Sequence, residues 1–206
     1  MSKINAVRLI NVNYNNNAYR ISDETLYFNG ESTLISLQNG GGKSVLVQML
    51  TAPFVHPRYR NTKDRLFESY FTTNKPSFIL VEWALDQGAG YVLTGLMVRK
   101  SQDMEEDRKE NLDIIGIVSE YQSPCIQDIH HLPVVEKGKK EMILKNFNSC
   151  RQLFETYKKD RDMKFFYYDL TNYAQSRQYF DKLMEYQINY KAVSYTHLRA
   201  HETDQY

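Results

Sequence analysis

The sequence predicts an α/β fold: a sheet-and-helix layer joined to an antiparallel β lobe. Two local patterns carry that expectation. A short apolar run at residues 33–37, TLISL, leads straight into a glycine-rich turn and then into an amphipathic stretch, the order strand, turn, helix. Further on, two apolar runs at residues 78–85 and 91–98 flank Asp86-Gln87-Gly88-Ala89-Gly90, which reads as a β-hairpin. The composition agrees. With 206 residues, 42% hydrophobic and 25% charged, the chain is ordinary globular material, long enough for one domain with a sizeable core and a smaller lobe.

Taken in order, residues 4–12, INAVRLINV, read as a strand because Ile and Val favour the pleated, half-buried surface of a sheet. Asn13 to Asn17 is a polar turn, and a short strand follows at residues 18–21. Asp23, Glu24, Asn29 and Gly30 punctuate the approach to the strand at 33–37. The next helix carries Val45, Leu46, Met49 and Leu50 on one face and stops at Pro53. Residues 54–65 form a loop rich in basic groups, and residues 64–71 a short helix. After the hairpin, residues 101–111 are a charged, solvated loop and 112–121 a strand. Residues 122–145 are mixed, with a turn at Lys137-Gly138-Lys139. A helix is expected over 146–160, a strand over 164–170 and a helix over 173–188 with Phe180, Leu183, Met184 and Ile188 at core-facing spacing. No internal repeat is visible.

Charge excludes little. Lys and Arg total 26 against 25 Asp and Glu, a net charge of +1, so any nucleic-acid surface has to be argued locally. Cys125 and Cys150 lie far apart without metal-type spacing and read as reduced thiols. No apolar run reaches membrane-spanning length and the N-terminus lacks a signal-peptide core, so a cytoplasmic protein is expected.

The sharpest motif is Gln38-Asn39-Gly40-Gly41-Gly42-Lys43-Ser44, with Val45 opening the apolar face behind it. A phosphate cradle needs backbone N–H groups converging on one concavity. Glycines permit those backbone angles, and the N-terminus of the following helix adds its dipole. Lys43 is the candidate for the β- and γ-phosphates of ATP, and Ser44 for Mg²⁺. Leu37 stands where the usual pattern has a glycine.

Asn39, Gly40, Gly42, Lys43 and Ser44 match the run Gly-x-Asn-Gly-x-Gly-Lys-Ser of the P-loop in ABC-type heads of structural-maintenance-of-chromosomes (SMC) ATPases. The stretch from Tyr179 to Tyr186 is similar to their MukB-like bacterial branch. The resemblance spans about residues 3–190, although only the loop is a specific motif. It implies the N-terminal part of a split ATPase head, over residues 1–191. Such a part needs the C-terminal half-head of the same chain and a second head, with DNA and accessory subunits as further partners and no membrane. The activity implied is ATP hydrolysis in chromosome maintenance or anti-plasmid defence. No Ser-Gly-Gly signature and no long heptad run occur here, so the chain alone is expected to bind ATP without turning it over.

Two stretches could supply a Walker B acid, four apolar residues ending in Glu82 or in Asp169. Glu82 reads as a surface-facing strand residue. Asp169 is the better candidate and defines the alternative, a self-contained small P-loop NTPase or nucleotide switch. A degenerate interaction domain is a third reading. Arg58, Arg60, Lys63 and Arg65 are candidate DNA-phosphate contacts, against the plainer reading of a solvated loop paired with Asp64 and Glu68. Tyr19 lies where transporter-type heads place an adenine-stacking aromatic, although a plain strand tyrosine reads better. His130 and His131 point to opposite faces if on a strand. Residues 192–206 break from the rest. The run SYTHLRAHETDQY resembles translated sequencing-adapter read-through, and its His197 and His201 lack a third ligand, so a non-native tail is expected there.

Overall fold

The computed structural model describes residues 2–14, 18–38, 41–61, 65–72, 75–100, 111–122, 135–137, 142–144, 164–186 and 188. These residues form β1 (Lys3–Tyr14), β2 (Tyr19–Tyr27), α1 (Lys43–Thr51), β3 (Ser77–Ala84), β4 (Tyr91–Lys100), β5 (Leu112–Tyr121), β6 (Val135–Lys137), β7 (Met142–Leu144), β8 (Lys164–Asp169) and α2 (Tyr173–Glu185). Six strands make one sheet in the order β2-β1-β3-β4-β5-β8, with every neighbouring pair antiparallel. Among the described residues β6 and β7 pair with each other in a separate two-stranded sheet. No helix among the described residues is long and apolar enough to cross a membrane.

The expected α/β P-loop fold is therefore not what the chain forms. Among the described residues an antiparallel sheet with two α-helices takes its place. The run at 33–37 is the clearest departure. It has strand-forming residues but no strand, and Leu34 stands 95% exposed. β-Propensity expresses packing against neighbours, so it is realised only where a neighbour exists. The run pairs with neither edge strand of the six-stranded sheet, β2 or β8, and so has no sheet neighbour. β2 is also longer than the short strand expected, because Arg8 extends its guanidinium to Asp23 (2.7 Å for both Nε and Nη2) and holds the pair in register.

One face of the sheet carries Val7, Leu9, Ile79, Val81, Val92, Leu96, Ile114 and Val118, and against it pack Val45 and Met49 of α1 and Tyr179 and Leu183 of α2. The other face is also buried at Ile10, Phe78, Leu80, Leu93, Met97 and Ile117. Burial on both sides is why β3, β4 and β5 read as nearly continuous apolar runs. Two asparagines bend β1. Its register against β3 shifts between Ile4 and Ala6, at Asn5. Asn11 takes φ 56°, so the core-facing series runs Val7, Leu9, Val12 rather than alternating throughout. The Asn11 amide donates to the carbonyls of Lys75 (3.1 Å) and Pro76 (3.2 Å), and the Ser77 hydroxyl donates to the Asn11 carbonyl (2.6 Å).

α2 starts at Asn172, whose side chain accepts from the Gln175 N–H. The Gln175 side chain in turn accepts from the Asp169 N–H (2.9 Å). The helix expected over 146–160 and the tail at 192–206 fall outside the described residues, as do Cys125, Cys150, His130, His131, His197 and His201.

Candidate functional site

α1 begins at Lys43 behind Gly42, and Gly42 has φ 83° and ψ 18°. That is left-handed backbone, which an L side chain adopts only with strain, so the turn into the helix needs a glycine. Gly41 donates its N–H to the Gln38 carbonyl at 2.9 Å, and a Cβ added at Gly41 would stand 2.9 Å from that same oxygen. Both positions therefore keep glycine for steric reasons, as a cradle that brings backbone close to a ligand does. No side chain caps the N-terminus of α1 and its first turn holds no acidic residue, and the partial positive charge at such a helix end favours an anion over a cation. Lys43 and Ser44 are both exposed at this end, while Val45 is buried in the core. Gln38 is exposed, and Asn39 and Gly40 lie outside the described residues.

Tyr14, at the end of β1, lies beside the loop. Its ring would stand 3.5 Å from a Cβ on Gly42, and it stacks on Tyr19 with centroids 5.3 Å apart and planes 22° from parallel. Tyr19 is 56% exposed. An aromatic pair with one accessible ring therefore flanks the glycine turn.

The basic stretch divides. Arg60 is 1% exposed, with Nε donating to the Ala52 carbonyl (3.0 Å) and the guanidinium 5.8 Å from the centroid of the Phe67 ring. Its expected role as a DNA contact is corrected: a buried guanidinium that grips the C-terminus of α1 is a structural group. Arg65 is half-buried, 5.2 Å above the Tyr70 ring. Lys63 and the side chain of Arg58 lie outside the described set.

The two candidate acids lie on β3 and β8. Glu82 is fully buried rather than surface-facing, and accepts hydrogen bonds from the Asn5 amide (2.6 Å) and the Tyr121 hydroxyl. Asp169 ends β8, the edge strand opposite β2, where it accepts from the N–H (2.9 Å) and hydroxyl (2.6 Å) of Thr171. α1 packs on β1 and β3 instead. A Walker B strand would lie parallel to the run at 33–37, and β8 is antiparallel to β5 in a sheet that run does not join, so the self-contained NTPase with Asp169 as its acid is set aside. Among the described residues no group of three or more His, Cys, Asp or Glu side chains could hold a metal ion.

Sequence reasoning missed a polar network under α1. Gln48 is 9% exposed, its Nε2 donates to the Arg60 carbonyl (2.5 Å), and its Oε1 accepts from the Tyr70 hydroxyl (2.6 Å). The Tyr179 hydroxyl donates to the Pro53 carbonyl (2.7 Å), tying α2 to the end of α1. A glutamine between Val45 and Met49 on the apolar face was the available signal. No protein-family model matches the chain, and no curated protein matches it.

Proposed function

We propose that the chain binds ATP with Mg²⁺ through residues 38–44, as the N-terminal part of an SMC-like ATPase acting on DNA in the cytoplasm. The observation that carries this reading is the left-handed Gly42 opening directly into α1 with Lys43 and Ser44 as its first two residues. A phosphate group at that end meets helix N–H groups and the Lys43 ammonium, and Ser44 offers a hydroxyl to Mg²⁺. The accessible ring of Tyr19 suits a stacked base. Residues 33–37 suit the arrival of a further strand, since they are rich in strand-forming residues and largely exposed, and no backbone hydrogen bond given among the described residues involves them. Such a strand fits the role of a partner segment, the C-terminal half-head, which would also bring the acid and the signature motif. Arg65, with Arg58 and Lys63, would touch DNA phosphates.

Titration calorimetry with ATP tests the reading. Wild type is expected to bind and Lys43→Ala to lose most of the affinity, because the substitution removes a charge facing phosphate. Steady-state turnover by the chain alone is expected to be negligible. Equal affinity in both proteins would sink the nucleotide site.

A further inference from the structure

We propose that the chain forms a twofold dimer by pairing the outer edge of β2 with the same edge of a second copy, antiparallel and centred on Ser22. β2 ends the six-stranded sheet, so among the described residues its outer side carries no partner strand. An open edge is a template for another strand, and natural proteins block it with proline, lysine, a bulge or a very short strand. β2 runs nine residues without a proline or a lysine, and its pairing with β1 keeps one register throughout. Phe28 donates its N–H to the Asn5 carbonyl at 2.8 Å, so the even-numbered residues of β2 turn their backbone groups toward β1. The alternation of an antiparallel ladder then turns the N–H and C=O groups of Tyr19, Ile21, Asp23, Thr25 and Tyr27 outward.

The side chains on this strand identify the partner as a second copy. Ala18, Arg20, Ser22, Glu24 and Leu26 share one face, and all are exposed. Read backwards, the series matches itself. Antiparallel pairing about Ser22 sets Arg20 against Glu24 of the second copy and Glu24 against its Arg20, with Ala18 against Leu26 at both ends. Arg20 and Glu24 fall at non-hydrogen-bonded positions of the new ladder, where opposing side chains stand closest. Neither has an ion pair among the described residues. Moving the axis by one residue loses the match. Centred on Asp23, two Asp23 carboxylates face each other and Arg20 faces Leu26; centred on Ile21, Glu24 faces Ala18 and Arg20 faces Ser22. The contact uses neither Lys43 nor Ser44 and stands apart from the nucleotide reading.

Sedimentation velocity of the whole chain over about 1–200 µM tests the dimer, because a single strand pair buries less than a standard interface and holds in the micromolar range. Wild type is expected to pass from monomer to dimer across that range. Arg20→Glu and Glu24→Arg each set like charges opposite at both ion pairs, and each should raise the dissociation constant by about tenfold or more. Both positions are exposed, so circular dichroism should show the fold unchanged. Mixed in equal amounts, the two variants should associate with each other at about wild-type strength, since each supplies the charge that the other lacks. Wild type that stays monomeric at the top of the range overturns the proposal. So does a dimer that both variants leave intact, or a mixture that does not recover association. A dimer that resists both charge changes but is lost in Leu34→Lys belongs to the run at 33–37 and overturns it as well.

Discussion

Arg60 and Arg65 come from one basic stretch, and the fold uses them in opposite ways. Removing Arg60 deletes a buried stem and leaves the Ala52 carbonyl without its donor. Arg60→Ala is therefore expected to cost about 2 kcal/mol or more in urea unfolding. Arg65→Ala removes a half-buried cation over Tyr70, and its cost should stay within about 1 kcal/mol. If Arg65 touches DNA, the same change should also flatten the salt dependence of DNA binding by about one unit of slope. Equal stability losses for the two variants would mean that the burial of Arg60 has no energetic weight. At this scale the sequence was a poor guide. Basic residues between Pro53 and Phe67 read as solvated because a charge normally stays in water, and nothing local showed that a carbonyl at the end of α1 would draw one inward. Glu82 misled in the same way: its partners Asn5 and Tyr121 lie on other strands.

α2 meets the sheet over a glycine. An ideal Cβ on Gly116 of β5 would stand 2.6 Å from Cδ2 of Tyr179 and 3.1 Å from Cδ2 of Leu170, so the flat approach of the tyrosine ring depends on the missing side chain. Gly116→Ala should destabilise the fold by about 1–3 kcal/mol, the usual cost of overpacking a filled core; chemical denaturation with an unchanged midpoint would refute this. The far end of α2 is held by charge. Glu120 of β5 accepts from the Tyr186 hydroxyl and pairs with Lys164 (3.3 Å) and Lys182 (3.4 Å). Partial burial pushes its carboxyl upward, but the Tyr186 hydrogen bond and the two lysines outweigh that and leave it below the usual range. A carboxylate with a lowered folded-state pKa stabilises above its unfolded value, near 4.3, and loses that contribution as pH falls through the folded one. The melting-temperature advantage of wild type over Glu120→Gln should thus be full at pH 7 and shrink as the pH falls below the unfolded carboxyl value. A constant difference across that range would remove the electrostatic account.

Most elements were legible where their signal was internal. The strands at β1, β3, β4 and β5 and the helix α2 lie where apolar patterning places them, because each buries a face of its own; β8 also lies where its apolar run places it, although Phe166 and Tyr167 stay exposed. Strand direction was legible at the hairpin, where β3 and β4 pair antiparallel around residues 85–90 as their turn residues indicate, and not elsewhere. A run buried on both sides looks the same in a parallel or an antiparallel sheet, and the glycine-rich motif tilted the reading toward the parallel one. The expectation also assumed that the run before the glycine turn would find a neighbour in the sheet. Its own residues could not show that it would pair with neither edge strand, β2 or β8.

For the molecule as a whole, that run is a liability in handling. Thr33-Leu34-Ile35-Ser36-Leu37 combines high β-propensity with no charge and no proline, and Leu34 is almost wholly exposed to solvent. A segment of this kind templates clumping between chains at the concentrations used for purification, and it is the sort of stretch a chaperone holds until its proper neighbour arrives. Leu34→Lys should raise the concentration at which the protein first scatters light and leave its melting temperature unchanged, since the replaced side chain touches little. If the variant clumped as readily as wild type, the seed would lie elsewhere. If it did not, the handling of this protein during synthesis would turn on how long five residues stay uncovered.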